Sequence, residues 1–93
     1  MNLRLKFDYS TDMIYIPDGY IEDLKLFQSK FFEWLYENPD CMIYDKKGTP
    51  AYSYNATTVL DYINREVLYA SREKAYFISE RRSQNGKIYT ITF

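Results

Sequence analysis

Few side chains in this sequence could carry catalysis. The 93 residues include one cysteine, Cys41, and no histidine. A catalytic triad with a histidine base and a zinc site of cysteine and histidine ligands are therefore both excluded. Asp40 precedes the cysteine, and a neighbouring carboxylate disfavours the thiolate that a nucleophile needs. We interpret Cys41 as a structural thiol.

Carboxylate chemistry has little support either. Glu33 and Glu37 are four residues apart and share one face of a predicted helix, but that face is predicted to be solvated. Paired carboxylates do acid–base work only across a cleft. Neither a glycine-rich phosphate loop nor an EF-hand loop occurs in the sequence. We therefore predict a non-enzymatic protein with no catalytic residue, no metal site and no cofactor.

Basic residues cluster at two predicted turns. Arg81, Arg82 and Lys87 surround the tip of the last predicted hairpin, and Lys46 and Lys47 lie in an earlier turn. Such tips could contact phosphates or an acidic protein surface. The alternative is that they are solvated turns whose charge maintains solubility.

Tyrosine is unusually abundant, with 11 residues in the chain, and is more informative about function than the basic turns. Tyr52 and Tyr54 share one face of a predicted strand, and Tyr44 lies on the strand expected to pair with it. Tyrosine and arginine are enriched in the hot spots of protein–protein interfaces. The same rings could stack on bases or cover the apolar stripes of the helices. Since 11 hydroxyls are hard to bury with partners, we expect an exposed aromatic patch.

The predicted elements follow from hydrophobic spacing. Alternation over residues 3–9 and an apolar run over 13–16 predict a first hairpin. Apolar residues at helical spacing predict a helix over about 19–37, with Asp18 as its N-cap. Residues 42–44 and 51–54 predict a second hairpin. A second helix is expected over about 57–69, with Asn55, Thr57 or Thr58 as its cap and Thr58 with Asp61 approximating a capping box. Residues 75–79 and 88–93 flank an Asn-Gly pair, the strongest short-range hairpin signal.

This order, ββ-α-ββ-α-ββ, predicts one α+β domain over residues 1–93. We expect two helices on one face of a mainly antiparallel sheet built from hairpins, with the other face partly solvated.

The charge and composition bear on partners and source. Net charge is −1, but residues 1–45 carry nine acidic and four basic side chains, whereas 46–93 carry four and eight. This split could make the domain an electric dipole, or the two halves could interdigitate and cancel. No membrane span or signal peptide is expected, and the single cysteine favours the reducing cytoplasm. The abundance of Lys, Asn, Ile, Tyr and Phe suggests an AT-rich bacterial, phage or mobile-element genome.

The leading functional hypothesis is a protein–protein interaction module acting through Tyr44, Tyr52, Tyr54, Arg81, Arg82 and Lys87. One version is a stoichiometric inhibitor of a host defence or regulatory protein. The alternatives are a nucleic-acid-binding accessory domain that uses the basic tips, a small-molecule sensor with an aromatic pocket, and a homo-oligomer paired through an open sheet edge.

Overall fold

The computed structural model describes residues 1–38, 42–44, 46–79 and 87–93. Its strands are β1 (Asn2–Lys6), β2 (Thr11–Tyr15), β3 (Met42–Tyr44), β4 (Pro50–Tyr52), β5 (Tyr76–Ile78) and β6 (Ile88–Thr92). Helix α1 covers Leu24–Tyr36, and helix α2 (Ala56–Tyr62) continues as a π-helical turn over Ile63–Val67. The predicted class and element order are confirmed.

The main sheet has the strand order β5-β2-β1-β6. β1 is antiparallel to β2, with Leu3 opposite Ile14, and parallel to β6, with Leu5 opposite Ile91. β2 is antiparallel to β5. Leu3, Leu5, Ile14 and Ile91 are buried in the core cluster that also contains the buried residues of both helices. Both helices therefore cover one face of this sheet, while most residues on its other face retain solvent exposure.

One predicted strand pairing is wrong, and a second hairpin forms as predicted but lies outside the main sheet. The Asn-Gly signal predicted that β5 and β6 form a hairpin, but they lie at opposite edges of the sheet and run in the same direction. Strands that run in the same direction cannot be joined by a two-residue turn. Beside β1, β6 buries Ile91 against the core, and this long-range gain outweighs the local preference. β3 and β4 do form a hairpin, but as a separate two-stranded sheet.

Helix α1 begins five residues later than predicted. Asp23, not Asp18, is its N-cap, and the Asp23 carboxylate accepts hydrogen bonds from the backbone N–H groups of Lys25 and Leu26. Gly19 has φ +91°, a left-handed conformation that cannot continue a right-handed helix. The apolar stripe itself is confirmed, since Phe27, Phe31 and Leu35 are buried.

Helix α2 starts at a capping box. Asn55 accepts a hydrogen bond from the Thr58 N–H (3.1 Å), and the Thr58 hydroxyl accepts one from the Asn55 N–H (3.2 Å). The predicted pairing of Thr58 with Asp61 is therefore replaced by a box that starts three residues earlier. At the far end, Leu68 N–H donates to the Ile63 carbonyl (2.8 Å), a five-residue step that widens the last turn.

Aromatic rings connect the two helices to the sheet. Phe31 of α1 is fully buried, and its ring centroid lies 5.5 Å from Tyr62 of α2 and 5.6 Å from Phe93 after β6. Tyr54 lies 5.8 Å from the same ring. These edge-on pairs are favourable beyond the area they bury, and Phe31 is therefore the centre of the core.

Candidate protein-binding surface

The side chain of Tyr52 connects the β3–β4 hairpin to the C-terminal end of α1 through two contacts with Tyr36. Its hydroxyl donates a 2.8 Å hydrogen bond to the backbone carbonyl of Tyr36, and the two rings meet edge-on at 5.0 Å. The last carbonyls of a helix have no partner within the helix, so this hydroxyl satisfies one of them. The ring that the sequence assigned to partner binding therefore also has a structural role.

Tyr52→Phe should lower the free energy of unfolding by about 0.5–1.5 kcal/mol, because it removes this hydrogen bond and keeps the ring contact. Urea denaturation measures the change. Tyr69→Phe is the matched control, since Tyr69 is highly exposed and its hydroxyl has no hydrogen bond to another described residue. An equal effect of the two substitutions would contradict the proposed role of the Tyr52 hydroxyl.

Tyr54 is half-buried and belongs to the edge of the core. Its ring lies 5.5 Å from Phe32 and 6.2 Å from both Phe7 and Phe93. Burial raises the pKa of Tyr54, and Tyr36 and Asp8 raise it further. Tyr54 is therefore only partly accessible to a partner.

Tyr44 is the most exposed of the three tyrosines predicted to bind a partner. It lies on β3 opposite Pro50, and its side chain is 68% exposed. Ile43, the residue before it, is also more than half exposed and points to the other side of the two-stranded hairpin. The hairpin thus presents large apolar side chains to solvent on both of its faces.

A shallow groove separates this hairpin from the turn between β1 and β2. Its apolar lining consists of Phe7, Tyr9, Ile43, Tyr52, Tyr54 and Phe93. Asp8, Ser10, Ser53 and Asn55 supply its polar groups. Tyr9 is fully exposed at the rim. An apolar floor with few polar groups and an exposed aromatic rim is typical of a contact site for another molecule.

We call Tyr9, Tyr36, Ile43, Tyr44, Tyr52 and Tyr54 the tyrosine surface. Sequence reasoning found Tyr44, Tyr52 and Tyr54 but missed the other three. Tyr36 follows the last residue of the apolar stripe on α1, which is a signal for exposure. The alternation over 3–9 placed Tyr9 on the buried face of the first strand; its full exposure corrects that prediction, because β1 ends at Lys6. No comparable signal was available for Ile43, which reads as an ordinary strand residue.

Of the three basic residues predicted for partner binding, the structure describes Lys87, which lies away from this surface. Arg81, Arg82 and the Asn-Gly pair lie outside the described residues, as does Cys41. Lys87 is exposed, and its Nζ lies 5.0 Å from the centroid of the Tyr89 ring. It precedes Ile88, which pairs with Asn2, whereas the groove lies near Phe7 and Phe93 at the other end of the same two strands. Five residues of strand, about 16 Å, separate the two locations.

Within residues 1–38, 42–44, 46–79 and 87–93, no group of three metal-ligating side chains lies close enough to hold an ion. None of the helices formed by these residues is both long and apolar enough to cross a membrane. No family model, curated protein or solved structure matches the chain.

Proposed function

We propose that this chain is a non-enzymatic protein-binding module that engages its partner through the tyrosine surface. The observation that carries the proposal is the groove floored by Phe7, Tyr54 and Phe93, with the exposed side chains of Tyr9 and Ile43 in its lining. Two further exposed rings flank it: Tyr36 contacts the lining residue Tyr52, and Tyr44 lies on the other face of the same hairpin. Covering exposed apolar side chains of this size with another molecule lowers the free energy of the complex.

The composition of the surface favours a protein partner with apolar side chains. Tyrosine offers a large ring with few rotatable bonds, so it loses little conformational entropy on binding. Tyr52 is held by its hydrogen bond and Tyr54 by its ring contacts, and both are therefore ordered before binding. A preorganised floor lowers the entropic cost of association.

The finer proposal is that the module inhibits a host defence or regulatory protein by covering part of its surface. That version requires a complex of fixed, equimolar composition. It is supported by the lack of a recognisable catalytic motif in the sequence and by a composition that suggests a phage or mobile-element source.

The tyrosine surface can be tested by Ile43→Ser/Tyr44→Ala in a pull-down from a low-GC bacterial lysate treated with nuclease. Both side chains are more than half exposed, so the substitutions should leave the fold intact. We expect one protein to be recovered with the wild type and its amount to fall at least about tenfold with the variant, a loss of about 1.4 kcal/mol.

Tyr69→Ala is the matched control, because Tyr69 is exposed and lies outside the tyrosine surface. Equimolar recovery that the control preserves would support the inhibitor version. Equal recovery by wild type and variant, or an empty pull-down, contradicts the assignment. Recovery from an untreated portion of the same lysate that is lost after nuclease treatment favours nucleic-acid binding instead.

A further inference from the structure

A second groove runs between the two helices and opens to solvent. Its floor is aromatic: Phe27 and Trp34 of α1 pack against Tyr62 of α2, with ring centroids 5.8 Å and 5.3 Å apart. The walls at one end carry apolar side chains, including Tyr20 and Leu26, which are both exposed. Phe27 and Tyr62 are themselves buried, so the accessible apolar surface of this helical groove comes from Tyr20, Leu26 and the partly exposed Trp34.

The rim of the helical groove is strongly acidic. Its carboxylates are Glu22, Asp23, Glu33, Glu37 and Glu66. Lys30 is the one cation among the described lining residues, so the net charge of the rim is −4. None of these carboxylates has a cation within 4.0 Å in the described structure. The rim therefore carries a net negative charge that attracts a cationic ligand.

The negative charge reaches the floor of the helical groove. Burial raises the pKa of the Tyr62 hydroxyl, and the nearby carboxylates of Glu66 and Glu33 raise it further. Glu33 belongs to α1 and Glu66 to the π-helical turn, so both walls contribute to the field at one central ring.

We propose that the helical groove is a docking site for a cationic amphipathic helix of a partner protein. Its apolar floor would accept the apolar stripe of such a helix, and its five carboxylates would face lysine or arginine side chains on either side of that stripe. From Asp23 to Glu37 the rim extends over about 21 Å, the length of roughly 14 helical residues. This inference stands apart from the tyrosine surface and does not depend on it.

The occupant is a partner and not a second copy. A second copy could offer α1, which carries Lys25 and Lys30 but also Glu33, or the α2 segment, where Asp61 and Glu66 offset Arg65. Neither described helix has the cationic face that the rim requires. A nucleic acid is disfavoured as well, because its phosphates would meet the same five carboxylates.

The probe for the test is a labelled 14-residue peptide of leucine and lysine with the leucines at helical spacing. A scrambled peptide of the same composition is the reference ligand, and fluorescence anisotropy at low salt gives both affinities. We expect the amphipathic peptide to bind about tenfold more tightly than the scrambled one, since only its leucines can align with the apolar floor. Glu33→Gln/Glu66→Gln should weaken its binding by about 3- to 10-fold.

Asp8→Asn/Glu73→Gln is the matched control, because it removes two exposed carboxylates outside the helical groove. This control should leave the affinity for the amphipathic peptide within about twofold, as should Tyr44→Ala, which alters only the tyrosine surface. Equal binding of the two peptides, or an equal loss in the groove variant and the charge control, would overturn the proposal and show attraction by net charge alone.

Discussion

Phe31→Ala should lower the free energy of unfolding by about 3–5 kcal/mol, the usual range for truncating a buried phenylalanine. Phe31 is fully buried, and its ring contacts five other aromatic rings. These rings are those of Phe32, Trp34, Tyr54, Tyr62 and Phe93, at centroid distances between 5.5 Å and 6.1 Å. Truncation would remove all five contacts and leave a cavity where α1, α2 and the end of β6 meet.

Urea denaturation followed by the fluorescence of Trp34, the single tryptophan, measures this loss. Leu26→Ala is the matched control on the same helix, because Leu26 is half exposed and should cost no more than about 0.5 kcal/mol. Small domains are stable by only about 5–15 kcal/mol, so the Phe31 variant loses a large share of the total. A loss below about 1.5 kcal/mol would contradict the central position of this ring in the core.

Hydrophobic spacing was sufficient to predict the fold class and the core faces of α1 and β1. The stripe on α1 predicted the burial of Phe27, Phe31 and Leu35, and the alternation of β1 predicted one buried face, which Leu3 and Leu5 occupy. These predictions succeed because burial of apolar area is the largest favourable term in folding and its period follows the local backbone.

Strand pairing could not be predicted in the same way. The Asn-Gly pair is a local signal, whereas the neighbours of β5 and β6 depend on contacts far apart in sequence. Two strands that follow one another in sequence can carry a hairpin signal between them and still pair with other strands, when that pairing buries more apolar area. Likewise, Asp18 and Asp23 are both acceptable helix caps, and the left-handed Gly19 between them selects the second.

The tyrosine surface shows the same limit. The sequence identified an excess of tyrosine and placed Tyr52 and Tyr54 on one strand face. It could not show that the Tyr52 hydroxyl would meet the carbonyl of Tyr36, 16 residues away. The exposure of Tyr9 and Ile43 across one groove likewise depends on the placement of a separate hairpin, which no local pattern encodes.

Asn64 makes the second contact whose loss should be large. It lies in the π-helical turn, and its side chain forms two hydrogen bonds with the backbone of Ala75, just before β5. The side-chain oxygen accepts from the Ala75 N–H at 2.8 Å, and the side-chain nitrogen donates to the Ala75 carbonyl at 3.1 Å. Ala75 is buried, so its backbone groups cannot exchange this partner for bulk water.

Asn64→Ala should therefore lower the free energy of unfolding by about 1–3 kcal/mol, the cost of leaving a buried polar group unpaired. Urea denaturation at pH 7.5 measures the change. Arg65→Ala is the matched control, because Arg65 is the next residue in the same turn but is exposed. If the two substitutions are equally costly, the effect comes from helix propensity and not from the hydrogen bonds to Ala75.

Asn64→Asp distinguishes the two hydrogen bonds through pH. Its carboxylate would still accept a hydrogen bond from the Ala75 N–H but would repel the Ala75 carbonyl oxygen. Only the protonated acid could donate a hydrogen bond to that carbonyl. The folded state should therefore raise the pKa of this aspartate above its unfolded value of about 3.9. A folded state that binds more protons loses stability as pH rises from about 4 toward the raised pKa.

The free energy of unfolding of Asn64→Asp should thus differ less from that of wild type at pH 4.5 than at pH 7.5. The difference between Asn64→Ala and wild type should be the same at both pH values. A pH-independent deficit in Asn64→Asp would show that the Ala75 carbonyl does not need a donor at this position.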